Sequence, residues 1–379
     1  MIPRLRAFSE SPEMLALRWA LPWSFVGFGA GLALFMALEP SGDLLTRFGG
    51  SLRPAFGIMS AVLVVLLSLD LARRRFVPIP AALGVALAAF AFSLPYSRAT
   101  SFESLANALG SSGLFLAMGI ALIAVNLLAA LRARLGALYG TLAGAALVIG
   151  GAGALCAAGV SLTEMLDIVI APLGTLGDSL SALLIITLVE TLLWSVGIHG
   201  PALLAAVLVP VYLQLQAQNT YALSHGEALP HIVTVSTFLF VFPGGAGATF
   251  PLVLLLLRSK IKRARTVAYA SLVPAIFNAN EPLMFGLPLV LNPYLCVPFV
   301  FAPLVLAFVT WEAIHLGLVA RPAFYVPSSL VPLPINVFLA TKDWRSIVLV
   351  TLNLLLAAVI YAPFVKLYER HELSIGADE

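Results

Sequence analysis

Glu281 is the ionisable residue whose neighbours point most clearly to chemistry. It lies in the segment FNANEP, residues 277–282, where two amide side chains precede it and a proline follows it directly. Because Pro282 lacks an N–H and disfavours the α conformation at the residue before it, we expect an unwound backbone here. A carboxylate beside amides and free backbone groups suits a ligand with several hydroxyl groups. The simpler alternative is that Glu281 hydrogen-bonds a helix break and touches no ligand.

His199 and Trp194 form a second group of candidates. His199 is followed directly by Gly200 and Pro201, and Trp194 precedes it by five residues. A sugar is commonly bound with an aromatic ring over its apolar C–H face and polar groups against its hydroxyls. Taken alone, however, a histidine in an apolar stretch is more often a packed hydrogen-bonding residue. A lone tryptophan is likewise more often part of the core.

Three further ionisable residues lie in apolar stretches. Glu190 is either a proton carrier or, as we favour, a partner for a backbone break or a polar loop. Glu312 and His315 are three residues apart, so they share one face of a helix and can pair with each other. Two ligands are too few for a metal site, and the sequence has no HExxH spacing, CxxC pair or Walker A loop. We therefore expect neither a metal nor a cofactor, and no nucleic-acid partner.

The composition indicates what kind of protein must position these residues. Of the 379 residues, 61% are hydrophobic and 10% are charged, whereas soluble globular proteins have about 45–50% and about 25%. In water such a chain could not cover its apolar surface with polar groups. This excludes a cytosolic enzyme, a disordered protein and a secreted disulfide domain. We predict an all-α, polytopic membrane protein.

The first half of the chain has the pattern of successive spanning helices. Segments that are long and apolar enough to cross a bilayer occur at 20–38, 55–72, 76–95, 113–131 and 136–160. With the N-terminus inside, the inner connections carry eight basic residues and the outer ones carry three. The positive-inside rule therefore predicts a cytoplasmic N-terminus, and Lys366 and Arg370 predict a cytoplasmic C-terminus.

The second half is interrupted by glycine and proline. Residues 179–217 contain no Lys or Arg, and as one helix they would be about 58 Å long, about twice the hydrocarbon thickness. We predict a break at 197–201 and another within 274–298, where prolines recur. Interrupted apolar segments are the best sequence signal for a transporter's binding site. Residues 1–160 are therefore predicted to form a scaffold, and 161–379 the substrate-binding half.

Three motifs occur in the order found in one family of membrane permeases. Residues 274–293 look like the stretch PxxFNINEPxxFGLPxxLNP, residues 194–200 look like WxxGIHG, and residues 244–249 resemble GGSGAT. Nearly the whole chain resembles the membrane IIC component of bacterial phosphotransferase-system sugar permeases, of the lactose/cellobiose/diacetylchitobiose type. The resemblance implies about ten transmembrane helices, two re-entrant hairpins, a homodimer formed by the first half, and an inner-membrane location.

The resemblance also implies roles for the candidate residues. In the family, the His of GIHG and the Glu of NEP contact the sugar near the hydroxyl that receives phosphate, and these positions are His199 and Glu281 here. Asn280 would add hydroxyl contacts, Trp194 would cover a ring face, and Glu281 would serve as the general base. The chain would have no catalytic activity alone, because soluble IIB and IIA subunits supply the phosphoryl group from a phosphocysteine on IIB. The sugar is expected to be a disaccharide.

One segment departs from the family pattern. Ser328 and Ser329 lie in VPSSLVP, residues 326–332, where the family has the tryptophan of VPWTTP. Two alternatives therefore remain beside the phosphotransferase reading. One is a proton-coupled or uncoupled sugar transporter, with Glu281 and Glu190 as proton carriers in the coupled form, and the other is a membrane sensor that kept the sugar pocket.

Overall fold

The computed structural model describes residues 10–38, 44–94, 101–109, 112–287, 289–290, 292–328 and 331–374. All regular elements within these residues are helical, which confirms the all-α prediction. Some residues behind the sequence predictions lie outside this part of the chain. They are Arg4, Arg6 and Arg98 among the counted basic residues, Pro288 and Leu291 in the 274–293 motif, and Ser329. The chain divides into two compact units.

The first unit comprises residues up to 174 together with 205–217 and 223–227. Its helices are α1 (Pro12–Leu38), α2 (Leu44–Arg74), α3 (Ile79–Phe92), α4 (Phe102–Leu109), α5 (Ser112–Leu135), α6 (Ala137–Ala157) and α7 (Leu162–Gly177). Four of the predicted spans correspond to α1, α2, α5 and α6, and the span predicted at 76–95 corresponds to the shorter apolar helix α3. Helix α7 occupies most of residues 161–178, a stretch without Lys or Arg that the charge count takes as an outer connection.

Close packing in this unit depends on glycine. A Cβ on Gly31 of α1 would lie 3.1 Å from the Cα of Ala55 on α2, and a Cβ on Gly57 would lie 2.5 Å from the carbonyl oxygen of Ala106 on α4. A larger residue at either position would push backbone against backbone. Since lipid competes equally for apolar side chains, such close backbone contacts are what holds membrane helices together.

The second unit comprises residues 175–204, 218–222 and 228 onwards. It contains α8 (Leu180–Ser195), residues 200–204 and 218–222 of α9 (Gly200–Ser224), α10 (Phe238–Val241), α11 (Phe250–Leu256), α12 (Lys262–Ile276), α13 (Glu281–Gly286), α14 (Cys296–His315), α15 (Ile335–Thr341) and α16 (Arg345–Ser374). Helix α14 packs against both α8 and α16. Its buried Phe299 and Leu306 join Tyr361 of α16 in one apolar core.

The described residues contain six helices that are long and apolar enough to span a membrane. They are α1, the part of α2 from Pro54, α5, α6, α14 and α16, and α3 and α8 are shorter apolar helices. A polytopic membrane protein is therefore confirmed. The predicted number of about ten spans stays a prediction, as do the two re-entrant hairpins and the boundary between residues 160 and 161.

Both predicted breaks in the second half are present, and they have the same design. Helix α8 ends with Gly197 at φ +83°, with the N–H of Gly197 bonded to the Trp194 carbonyl and that of Ile198 bonded to the Leu193 carbonyl. Helix α12 is followed by Asn278 at φ +57°. The N–H of Asn278 donates to the Ala275 carbonyl, and that of Ala279 donates to the Pro274 carbonyl. This is a Schellman motif, which favours Gly or Asn at the left-handed position. A new helix begins three residues later in each case, at Gly200 and at Glu281.

Asp178 fixes the start of α8 to the segment that follows α9. Its Oδ1 accepts hydrogen bonds from the N–H groups of Ile232 at 2.9 Å and Val233 at 2.7 Å. Its Oδ2 lies 3.0 Å from Nδ1 of His231. Burial alone would raise the pKa of Asp178, but the hydrogen bonds from His231 and Val233 outweigh it and hold the pKa below its ordinary value. The carboxylate is therefore charged at neutral pH and ties two segments together.

Candidate functional site

His199 and Glu281 are brought together by the two broken segments. Nε2 of His199 lies 3.8 Å from Oε1 of Glu281, and the two side chains are 24% and 49% exposed. That separation is too long for a direct hydrogen bond, and it is short enough for one hydroxyl group to bridge both atoms. Because both side chains are partly exposed, a ligand could reach them.

The local backbone explains why these two residues stand where they do. The carbonyl of His199 accepts the first helical hydrogen bond of α9, from Leu203, and that of Asn280 accepts the first bond of α13, from Met284. Glu281 is therefore the first residue of α13, with its carboxylate at the positive end of the helix. Each helix start leaves backbone N–H groups unpaired within the helix. The two helix starts thus place polar backbone groups next to these two side chains.

The indole ring of Trp194 packs against the imidazole ring of His199. The indole ring is 3% exposed, and its centroid lies 4.3 Å from that of the His199 ring at an angle of 40°. The buried Nε1 of Trp194 has no hydrogen-bond partner among the described residues. The predicted contact between Trp194 and a sugar ring stays a prediction. In this structure the indole lies against His199.

Phe285 is an exposed aromatic residue that the sequence reasoning missed. It lies four residues after Glu281 on α13 and is 75% exposed. Its ring packs nearly perpendicular to the Trp194 ring, with the two centroids 6.0 Å apart. Residues four apart share one face of a helix, so this spacing was the available signal. Phe285 thus offers an exposed aromatic ring on the helix that begins at Glu281.

Asn280 holds the glycine-rich loop, residues 244–249, in place. It is 5% exposed, and its Nδ2 donates to the carbonyl of Ala246 at 2.6 Å. A Cβ added to Gly245, which has φ +98°, would lie 2.9 Å from Cγ of Asn280, so only glycine fits the left-handed position beside the amide. The amide nitrogen of Asn280 is thus committed to the loop, and its predicted contact with sugar stays a prediction.

The same loop is fixed from two other sides. Oδ1 of Asn278 accepts from the N–H of Gly244 at 2.7 Å, and the hydroxyl of Tyr361 donates to the carbonyl of Gly247 at 2.7 Å. These bonds pin the loop to α16 and to the turn that precedes Glu281. The glycine motif therefore serves as a support for the carboxylate.

Glu190 lies against the first residue of α9. It is buried on α8, and a Cβ on Gly200 would lie 2.1 Å from its carbonyl oxygen. Gly200, the second glycine of the GIHG sequence, is therefore required by direct backbone packing. The proton-carrier role of Glu190 remains untested.

Glu312 and His315 lie at the C-terminal end of α14 and belong to no metal cluster in the described residues. The ring of His315 stacks on Trp311 with centroids 4.5 Å apart. The described part of the chain holds no group of three or more His, Cys, Asp or Glu side chains that could bind a metal.

The segment around Asp343 begins α16. Its carboxylate accepts from the N–H groups of Ala320 at 2.9 Å and Arg345 at 3.0 Å, and it pairs with the Arg345 guanidinium. Burial opposes the charged form, but the bonds from Arg345 and Ala320 outweigh it and lower the pKa of Asp343. This carboxylate caps the helix.

Comparison with known proteins supplies an independent line of information. Residues 26–303 match the family described as "Phosphotransferase system, EIIC". The permease IIC component YwbA of Bacillus subtilis is 33% identical over 381 residues, which cover 90% of this chain and 84% of that protein. The lichenan permease IIC component of the same organism is 37% identical over 206 residues, covering 53% of this chain and 45% of that protein.

A solved structure has the same fold over the full length. It is the transporter ChbC, the IIC component from the N,N'-diacetylchitobiose-specific phosphotransferase system. The TM-score is 0.81 at 26% sequence identity, and the match covers 100% of this chain and 98% of that chain.

Proposed function

This chain belongs to the phosphotransferase system EIIC family, and from that membership we propose that it binds a disaccharide within the membrane and presents it to a soluble IIB subunit for phosphorylation. Relatives that carry the names of lichenan and N,N'-diacetylchitobiose support a substrate made of linked sugars. The observation that carries the proposal is the meeting of His199 and Glu281 at 3.8 Å.

In the proposed site, one sugar hydroxyl lies between the imidazole and the carboxylate. His199 orients the hydroxyl, and Glu281 accepts a hydrogen bond from it. When the phosphorylated IIB subunit arrives, the sugar oxygen forms a bond to phosphorus as the bond from phosphorus to the IIB cysteine sulfur breaks. The hydroxyl proton passes to Glu281, which thus serves as general base. The chain supplies binding and the base, and IIB supplies the phosphoryl group.

The aromatic and amide residues complete the proposed site. Trp194 keeps the His199 ring in place and is proposed to border the sugar. Phe285 is proposed to cover an apolar face of the sugar, since its ring is exposed on the helix that begins at Glu281. Asn280 positions Glu281 through the glycine-rich loop and is proposed to offer its amide oxygen to a sugar hydroxyl.

The family also motivates proposals about assembly and location. We propose that the protein lies in the bacterial inner membrane with both termini cytoplasmic, and that residues 1–160 form a homodimer contact. A soluble IIA subunit would phosphorylate IIB in turn, and membrane lipid would cover the exposed apolar helices. The distribution of arginine and lysine along the chain supports the orientation.

Uptake into membrane vesicles tests the function. Vesicles that contain the protein, the soluble phosphotransferase subunits and their phosphoryl donor should accumulate labelled cellobiose as sugar phosphate. A protonophore should leave this accumulation unchanged, because the phosphoryl donor provides the free energy. Accumulation of unmodified sugar that collapses with the proton gradient would instead establish a proton-coupled transporter.

A further inference from the structure

A strongly basic surface occupies two helix ends of the second unit. Seven exposed Lys and Arg side chains lie at 258–265 and 366–374, and we call them the basic surface: Arg258, Lys260, Lys262, Arg263, Arg265, Lys366 and Arg370. Glu369 and Glu372 are the acidic residues of the same stretches, so seven positive against two negative charges leave a net charge of +5. The surface therefore attracts anions.

The two helix ends form one continuous surface. The N–H of Lys260, just before α12, donates to Oε1 of Glu369 near the end of α16 at 3.3 Å. Beneath this contact, Ile261 and Tyr368 are buried in the same apolar core. The basic side chains of α12 and α16 consequently lie on either side of the contact between Lys260 and Glu369.

The basic surface is joined directly to the helix that carries Glu281. The guanidinium of Arg263 donates to the carbonyl of Gly286, the last residue of α13, at 3.3 Å. A Cβ on Gly286 would lie 2.7 Å from Cγ1 of Val267, so α13 packs tightly on α12. Six residues of helix span about 9 Å, and the basic surface therefore ends about one short helix from the Glu281 carboxylate.

A second contact joins the surface to the turn that follows α13. The ring of His371 on α16 lies 5.1 Å from that of Tyr294, which precedes α14. A basic segment that only anchors a loop to the membrane surface needs no contact with the substrate helix. Here both basic stretches hold the segment that begins at Glu281.

We propose, on the premise of the proposed function, that the basic surface is the docking site of the phosphorylated IIB subunit. A phosphoryl group carries about −1.5 to −2 charges at neutral pH, and its phosphorus must come within bonding distance of the hydroxyl held at Glu281. A positive surface next to the acceptor raises the rate of encounter and orients the donor. Among the described residues, this is the cluster of charge that touches α13.

Charge reversal tests the docking site. The double variant Lys262→Glu, Arg265→Glu should raise the KM for phosphorylated IIB about tenfold or more at low salt, measured as sugar phosphorylation in proteoliposomes with the IIB subunit that supports wild-type activity. The increase should shrink at physiological ionic strength, where the Debye length is about 8 Å. The affinity for cellobiose, measured by calorimetry, should remain at the wild-type value. The neutral variant Lys262→Gln, Arg265→Gln should show a smaller increase.

The control is Arg134→Glu, which reverses an exposed charge in the last turn of α5 on the side predicted to be cytoplasmic. It should leave the KM for phosphorylated IIB unchanged. An equal increase in this control would show that general surface charge, as in attraction to anionic lipid, is responsible, and it would overturn the docking site. An unchanged KM in both double variants would overturn it as well. Absence of sugar phosphorylation in the wild type would overturn the proposed function itself.

Discussion

Glu281 and His199 are held by backbone turns of the same design, although they lie 82 residues apart in the chain. Each follows a helix that ends in a left-handed residue, and each stands at the start of the next helix. The carboxylate is half exposed and the imidazole is less so. At this scale the site consists of the Glu281 carboxylate as hydrogen-bond acceptor and the His199 imidazole, which can donate or accept. The aromatic rings of Trp194 and Phe285 accompany them.

Removing the charge of Glu281 should affect phosphoryl transfer more than binding. Glu281→Gln keeps the shape and one acceptor oxygen but cannot take up the hydroxyl proton. We expect the phosphorylation rate to fall about 10²–10⁴-fold and sugar affinity to fall several-fold. The control Glu312→Gln, on α14, should leave both near wild type. Unchanged affinity and rate in Glu281→Gln, with the protein folded, would remove this residue from the site.

The two possible roles of Trp194 can be separated by size and polarity. Trp194→Phe keeps an aromatic ring against His199, and the buried indole N–H has no partner to lose among the described residues. We expect sugar affinity close to wild type for Trp194→Phe. Trp194→Ala should lower thermal stability, since emptying a buried aromatic site costs about 3–5 kcal/mol, and it should weaken sugar binding. A large loss of affinity in Trp194→Phe would favour direct contact between the indole and the sugar.

At the scale of elements, the site depends on how closely helices approach at their broken ends. Gly200 begins α9 directly against the carbonyl of Glu190 on α8, and Gly245 lies against Asn280. Neither contact can relax by rotation of a side chain, because backbone atoms or a hydrogen-bonded amide stand in the way. Small residues here determine where His199 and Glu281 lie.

Gly200→Ala should therefore displace α9 from α8. A Cβ 2.1 Å from the Glu190 oxygen requires a backbone shift, and overpacking of this kind typically costs about 1–3 kcal/mol. We expect a lower melting temperature in detergent and a loss of sugar affinity, because His199 moves with the helix start. The matched control is Gly153→Ala on α6, where nothing lies within 4 Å of the added Cβ. An equally benign result for both variants would contradict the close approach.

At the scale of the whole molecule, orientation in the membrane decides which surfaces meet the soluble subunits. The arginine and lysine distribution predicts that both termini and the basic stretch at 258–265 face the cytoplasm. Residues near 163 are predicted to face outward, in a stretch of 161–178 without Lys or Arg. Exposed apolar side chains on α6, such as Leu138 and Leu147, suit contact with lipid or a second copy of the chain.

Reporter fusions test this orientation. A fusion after Thr163 should give an extracytoplasmic signal, and fusions after Arg265 and after Ser374 should give cytoplasmic signals. The pairing of opposite signals serves as the internal control for membrane insertion. A cytoplasmic signal after Thr163, or an extracytoplasmic one after Arg265, would rule out the predicted arrangement and move the basic surface away from IIB.

Much of the protein could be predicted because the relevant rules are local. Apolar composition, proline and glycine positions and charged ends act over one or two helical turns. They sufficed for the membrane class, for both helix breaks and for the candidate residues His199 and Glu281. Helix α7 was missed, because a stretch of mixed acidic and apolar residues without Lys or Arg looks like a loop until packing favours a helix.

By itself, then, the sequence determined that the chain is a helical membrane protein with two interrupted segments, each carrying polar groups. Only the tertiary structure decided that His199 and Glu281 meet, that the Asn280 amide nitrogen binds the glycine-rich loop, and that Arg263 reaches the helix of Glu281. These contacts join residues 23 to 82 positions apart. They depend on which helix faces pack together, and that choice is made by the summed packing of the whole unit and not by any local pattern.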